Sequence, residues 1–146
     1  MSLPICQSTT HAHDTDDSVT LSYDDRFLRR KVLTSDGGLQ FLVDLESTTS
    51  LGTGDAFVLE DGQLIGVRAA AEALLQVTGP DLTRLAWHIG NRHTPCQIEA
   101  TRLLIQRDHV LRDMLEKLGA TLAEVVEPFT PEGGAYGHGR THGHAH

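Results

Sequence analysis

Histidines are the residues of this chain best suited to chemistry, and two of them stand where a regular element ends or begins. His93 lies in Gly90-Asn91-Arg92-His93-Thr94-Pro95, where Asn91 and Pro95 mark a loop behind a helix that stops at Gly90. His109 follows Asp108 at the start of another helix. Two readings of His93 stand side by side. It is a capping or surface histidine oriented by the carbonyls at the helix end, or it is a metal ligand, because neutral imidazole is the commonest protein ligand for late transition metals. The tail, residues 137–146, adds His138, His142, His144 and His146. Glycine between these histidines lets the tract wrap a metal ion without a preformed site. A purification tag runs its histidines consecutively, whereas these are interleaved, so the tail reads as native.

The elements that must position these groups divide the chain in two. From Val19 to about Val67 the pattern is all-β. Arg30-Lys31-Val32-Leu33-Thr34 and Leu39-Gln40-Phe41-Leu42-Val43 flank Ser35-Asp36-Gly37-Gly38. Ala56-Phe57-Val58-Leu59 and Gln63-Leu64-Ile65-Gly66-Val67 flank Glu60-Asp61-Gly62. Both are hairpin signals, because glycine supplies the positive φ such turns require. They predict a small sandwich or barrel over residues 19–70. Between them Leu51-Gly52-Thr53-Gly54-Asp55 reads as a turn; it lacks the Gly-Lys-Ser/Thr ending of a phosphate-binding loop, so no nucleotide is assigned. Residues 1–18 are polar, with Asp14, Asp16 and Asp17 beside His11 and His13, and read as a disordered arm that cannot offset its ordering entropy.

The boundary falls near residues 68 to 71. Glu72–Val77 predicts a strand, and Thr78-Gly79-Pro80-Asp81 opens a helix with Pro in its first turn. Leu82, Leu85, Ala86 and Ile89 share one face of that helix, with His88 on its flank. Gln97–Thr101 and Leu103–Ile105 predict two strands. Asp108 is the expected N-cap of the second helix, with Val110, Leu111, Met114, Leu115 and Leu118 as its buried stripe; Lys117 and Gly119 suit its last turn and C′ position. Leu122–Val126 supplies a last strand. Strand, helix, strand, strand, helix, strand is the order of the split βαβ fold. The fold class is therefore α+β: a small all-β domain over residues 19–70, a ferredoxin-like (βαββαβ) domain over residues 71–136, and a disordered His-rich tail over residues 137–146.

Gly90-Asn91-Arg92-His93, followed by Pro95 and Gln97-Ile98, then Asp108-His109-Val110-Leu111 with Asp113-Met114-Leu115 and Gly119, resembles the urease accessory protein E family of nickel metallochaperones. So do Pro128-Phe129, Pro131-Glu132, Gly134-Ala135-Tyr136 and the tail behind them. Leu21-Ser22-Tyr23-Asp24-Asp25-Arg26 and Glu60-Asp61-Gly62 match more loosely. The resemblance implies an N-terminal β domain that holds proteins or peptides, a homodimer built through the C-terminal domain, and nickel(II) bound at the interface by the histidine that matches His93. It implies further that His109 matches a second metal-binding position. Its partners would be the urease apoprotein and accessory proteins, including a separate GTPase. Two positions depart from the family. Where some members carry His-x-His, Arg107 stands two residues before His109, and a guanidinium is a poor ligand. Cys96 replaces an aliphatic residue; it could add a thiolate that favours zinc or copper, against the plainer reading of a small buried residue at a strand start.

Composition sets the outer bounds. A formal charge of -8 argues against nucleic acid, which requires clustered Lys and Arg to displace counterions. Two cysteines are too few for a secreted disulfide scaffold. The opening Met-Ser-Leu-Pro-Ile-Cys-Gln has neither a basic n-region nor an apolar h-region, and no stretch is long enough to span a membrane. A cytoplasmic protein is the expectation.

Coordination chemistry completes the reading. Nickel or zinc wants four to six donors, and one loop imidazole supplies one. Two chains about a two-fold axis would bring two copies of His93 to a shared ion. The expected function is a non-enzymatic carrier that binds Ni(II) at that histidine and delivers it for assembly of the urease metallocentre; Zn(II) or Cu(II) could occupy such a site in vitro. The alternative is a nickel or zinc storage or buffering protein acting mainly through its tail. A metallohydrolase would need a closed three-ligand set with a carboxylate base, and no His-Glu-x-x-His occurs. A purely structural dimerisation module would bind no metal tightly once the tail was removed.

Overall fold

The computed structural model describes residues 2–133. The chain divides into two compact units, residues 1–70 and 71–146. Among the described residues, no helix is long and apolar enough to cross a membrane.

The first unit is one mixed six-stranded sheet. Its strands are β1 (Ile5–His11), β2 (Asp17–Leu21), β3 (Phe27–Thr34), β4 (Gln40–Ser50), β5 (Asp55–Leu59) and β6 (Leu64–Ala69), in the order β2-β6-β5-β1-β4-β3. The two expected hairpins are present: β3 pairs antiparallel with β4, and β5 with β6. Gly38 and Gly62, in their turns, take φ of 94° and 90°, a conformation open to glycine at no steric cost. The sheet curls like a barrel rather than forming two sandwiched layers, because its edge strands are tied together. Ser18 O of β2 accepts the Asp36 N–H of the β3–β4 turn at 2.7 Å. Asp17 accepts hydrogen bonds from Ser35 Oγ and the Gly37 N–H. Inside lie Cys6, Val19, Phe41, Phe57 and Ile65, all nearly inaccessible, with the rings of Phe41 and Phe57 tilted at 5.7 Å.

The expectation of a disordered arm over residues 1–18 is corrected here. β1 occupies the middle of the sheet, parallel to β4 and antiparallel to β5, and Cys6 is wholly buried. β2 begins at Asp17, inside the supposed arm. The polar composition of Ile-Cys-Gln-Ser-Thr-Thr-His reflects a strand with a largely exposed face. Backbone ladders on both sides, rather than apolar side chains, offset its ordering.

The second unit is ferredoxin-like. It runs β7 (Ala71–Thr78), α1 (Leu82–Asn91), β8 (Gln97–Ile98), β9 (Leu103–Gln106), α2 (His109–Lys117) and β10 (Thr121–Pro128), with sheet order β10-β7-β9-β8 and every pair antiparallel. Leu85 and Ile89 of α1 and Leu111 and Leu115 of α2 pack in one cluster with Leu75, Val77, Leu103 and Ile105 of the sheet. Pro80 stands outside α1 rather than in its first turn: the helix is capped by Asp81, whose carboxylate accepts the Arg84 N–H at 3.1 Å. Asp108 caps α2 as expected, accepting from Val110 N–H and Leu111 N–H. Val110 departs from the expected buried stripe. It is 62% exposed, because it sits in the first turn of α2, one position ahead of the buried Leu111–Leu115 row.

Candidate metal site

His93 is held by the way α1 ends. Arg92 is the C-cap, the His93 N–H donates to Gly90 O at 2.9 Å, and the Thr94 N–H donates to Ile89 O at 3.4 Å. These paired bonds make a Schellman motif with His93 at C′. That position needs a left-handed backbone, and His93 has φ 56°, the one positive φ outside glycine among the described residues. Glycine is the usual occupant, since a side chain there costs roughly 1–2 kcal/mol. Gly90 O and Ile89 O accept these backbone donors, so the cap itself is a backbone structure. Its consequence is positional: the His93 backbone is held just past the C-terminus of a ten-residue helix, the negative end of its dipole, where a cation is favoured.

His109 sits in the opposite field. It is the first residue of α2, exposed, at the positive helix end. The hollow beside it is lined by Leu75, Arg107, Asp108 and Arg112. Arg107, which replaces the histidine of His-x-His, donates from Nε to Leu74 O at 3.1 Å and from Nη2 to Val125 O at 3.2 Å. It therefore stitches β7 to β10, a task a neutral imidazole could not perform with the same fork of donors.

His88 lines a groove between α1 and α2 with Arg92, Val110, Asp113, Met114, Lys117 and Leu118. Its ring meets Trp87 edge-on at 5.0 Å, and Trp87 itself is 63% exposed. His11 and His13 lie in the first unit, where His11 Nδ1 is 2.7 Å from Asp55. His138, His142, His144 and His146 lie outside the described residues. Among the described residues, no three His, Cys, Asp or Glu side chains gather as a metal-binding group.

Cys96 is 9% exposed just before β8. Burial, and then the nearby Glu132 carboxylate, push its thiol from the ordinary 9.0 up to about 11. Burial likewise raises Cys6. A thiol so raised is protonated at neutral pH and is a poor ligand, which favours the reading of Cys96 as a packing residue. At pH 8 a value of about 11 leaves about 100-fold less thiolate than 9.0. An aromatic disulfide reagent should therefore label Cys96 in the native chain at least about 100-fold more slowly than after guanidinium unfolding. Labelling at the unfolded rate would contradict this environment. Cys96→Ser should leave nickel affinity within about twofold.

One feature escaped the sequence reading. The residues after β10 turn back onto β8: Thr130 N–H donates to Gln97 Oε1 at 2.9 Å, and Glu132 N–H donates to Cys96 O at 2.9 Å. Phe129 is fully buried. The Pro128-Phe129 and Pro131-Glu132 pairs carry no periodicity to say where the chain goes.

These elements describe a two-unit α+β protein whose described histidines stand at element ends and along open hollows. The family model described as UreE urease accessory protein, N-terminal domain, matches residues 3–70, and the one described as UreE urease accessory protein, C-terminal domain, matches residues 70–146. A urease accessory protein UreE from Ruegeria pomeroyi is 72% identical over 149 residues, covering 100% of both chains. Those of Ruegeria sp. strain TM1040 and Rhodobacter capsulatus are 67% and 62% identical, covering 90% and 89% of this chain and 76% and 83% of their own. The chain belongs to the UreE family of urease accessory proteins.

Proposed function

We propose that this protein is a nickel carrier for urease maturation, not an enzyme, and that His93 is its principal ligand. The observation that carries this reading is the histidine at a position where glycine would be more stable, fixed at the cation-favouring end of α1. A local rule broken at one residue is the mark of a site kept for function. With no three-ligand group among the described residues, further donors come from a second copy of the chain and from the tail histidines His138, His142, His144 and His146. The exposed Trp87 and Val110 beside the α1–α2 groove suit burial against that second copy. His109 ranks below His93, since two arginines and the α2 dipole oppose a cation there.

The chemistry asked of these residues is capture and release. Neutral imidazoles bind nickel without enclosing it, and a site open to solvent can pass the ion on by ligand exchange. The receiving partners are the urease apoprotein and the other accessory proteins, among them a GTPase. The lack of three preformed ligands among the described residues also suits a buffering role built on the tail, in which His93 would be dispensable. Complementation separates the two. In cells lacking the protein, at limiting nickel, the native chain should restore urease activity and His93→Ala should not, with excess nickel rescuing both. Full restoration by His93→Ala would reject the carrier reading in favour of buffering.

A further inference from the structure

Because Ile5–His11 is a strand rather than a loose arm, the histidine at its end has fixed surroundings. His11 stands directly across from Asp55 in the β1–β5 ladder, and its Nδ1 lies 2.7 Å from Asp55 Oδ1. An ionised carboxylate can only accept, so Nδ1 carries a proton and, in the neutral ring, Nε2 keeps the lone pair. The side chain is 93% exposed, which leaves Nε2 open to solvent. Asp55 is itself held, because its Oδ2 accepts the Gly52 N–H at 2.8 Å. An imidazole whose other nitrogen is tied to an oriented carboxylate is the arrangement that metal-ligating histidines adopt.

A second imidazole shares the place. His13 and Asp55 line one hollow, together with Asp17, Gly66 and Arg68. The loop that carries His13 is pinned at both ends: the Ala12 N–H donates to Gly54 O at 3.0 Å, and the Asp16 N–H to Leu64 O at 2.9 Å. Between these points it lies close over β6, where a Cβ on Gly66 would meet Thr15 Oγ1 at 2.9 Å. His11 and His13 are two residues apart. Alternate residues of an extended chain face one side about 7 Å apart, a gap that one ion between two imidazoles closes. The surrounding charge favours a cation, since loop and hollow together hold Asp14, Asp16, Asp17 and Asp55 against Arg68. Asp17 contributes charge rather than a ligand, because its carboxylate is occupied by Ser18, Ser35 and Gly37.

We propose that His11 and His13 form a metal site of their own in the N-terminal unit, with Asp55 as the positioning residue of His11, and that it takes a late first-row divalent cation such as nickel(II). The site does not depend on the reading of His93. Two imidazoles leave the rest of the coordination shell to water, in keeping with the lack of a three-ligand group among the described residues. An ion so held is bound weakly, and the site fills only at nickel concentrations well above those the proposed His93 site needs. A His11–Asp55 pair could instead only tie β1 to β5, and the two roles give different results in one experiment.

Nickel(II) alone is titrated into the full-length chain with His93, His138, His142, His144 and His146 replaced by alanine, and the ion is located by paramagnetic broadening of amide signals. Signals of residues 11–13 and 53–55 should broaden first. His13→Ala should weaken nickel binding there at least about tenfold, and Asp55→Asn about tenfold. Urea unfolding is followed for each variant, because Asp55 also holds the Gly52 turn. A pair that only ties the strands would lower the unfolding midpoint in Asp55→Asn and leave nickel binding within about twofold, which would overturn the proposal. Should Asp55→Asn fail to fold, His11→Gln decides in its place: it keeps a polar side chain at an exposed strand end, and nickel binding within about twofold of the parent would again overturn the proposal. Broadening centred on other residues, or broadening at residues 11–13 that survives His13→Ala undiminished, would do the same.

Discussion

Replacing Arg26 by methionine should destabilise the N-terminal unit by about 2 kcal/mol. Arg26 is 2% exposed. Its Nη1 donates to Leu21 O at 3.0 Å and its Nε to Leu51 O at 3.2 Å. Its guanidinium lies 5.7 Å from the centre of the Tyr23 ring. Its own backbone completes the staple, since the Leu51 N–H donates to Arg26 O at 2.9 Å. One residue thus joins the end of β2, the start of β3 and the end of β4. Methionine preserves much of the volume but leaves Leu51 O without its side-chain donor, at about 1–3 kcal/mol for a buried carbonyl left unpaired, while Leu21 O keeps the Ala70 N–H at 2.9 Å. Lysine should recover little, because its single ammonium cannot reproduce the fork of donors. Urea unfolding, with the N-terminal transition assigned by amide exchange, should show a midpoint lowered by more than about 1 M. A loss below about 1 kcal/mol would mean that Leu51 O finds another donor.

The second large effect has opposite signs for stability and binding. His93→Gly should raise the stability of the C-terminal unit by about 1 kcal/mol, or about 4–8 °C in Tm for a unit of this size, because glycine takes the left-handed C′ conformation without penalty. Alanine should be the least stable of the series, with asparagine between glycine and alanine, since Asn and His enter this region more readily than other side chains. The same glycine removes the proposed ligand. Loss of an outer-shell partner alone costs 10–100-fold in metal affinity, so loss of the ligand should cost on the order of 100-fold or more. Thermal unfolding and nickel titration on one set of variants check both halves. A glycine variant no more stable than the alanine variant would show that the positive φ carries no strain.

The second unit was the more legible half of the chain. Its helices announce themselves through Leu85 and Ile89 and through Leu111 and Leu115 at helical spacing, through the caps Asp81 and Asp108, and through Gly119, whose φ is 89°. The hairpins of the first unit were legible for the same kind of reason, a glycine turn between apolar runs. β1 was hidden because its exposed positions are Gln, Ser and Thr, so a strand between two others looks like a polar tail. His93 was visible as a histidine in a loop, but its strained backbone was not: residue type advertises positive φ only when the residue is glycine. The return of residues 129–132 onto β8 was invisible because tertiary hydrogen bonds to Gln97 and Cys96 leave no periodic trace.

Nickel titration calorimetry, run with native mass determination, tests the central claim most directly. The protein is the full-length chain with His138, His142, His144 and His146 replaced by alanine, with and without His93→Ala. The account expects one ion per pair of chains in the presence of His93, and a loss on the order of 100-fold or more without it. If the chain with His93 binds no nickel once the tail histidines are gone, the tail is the metal site and His93 is not.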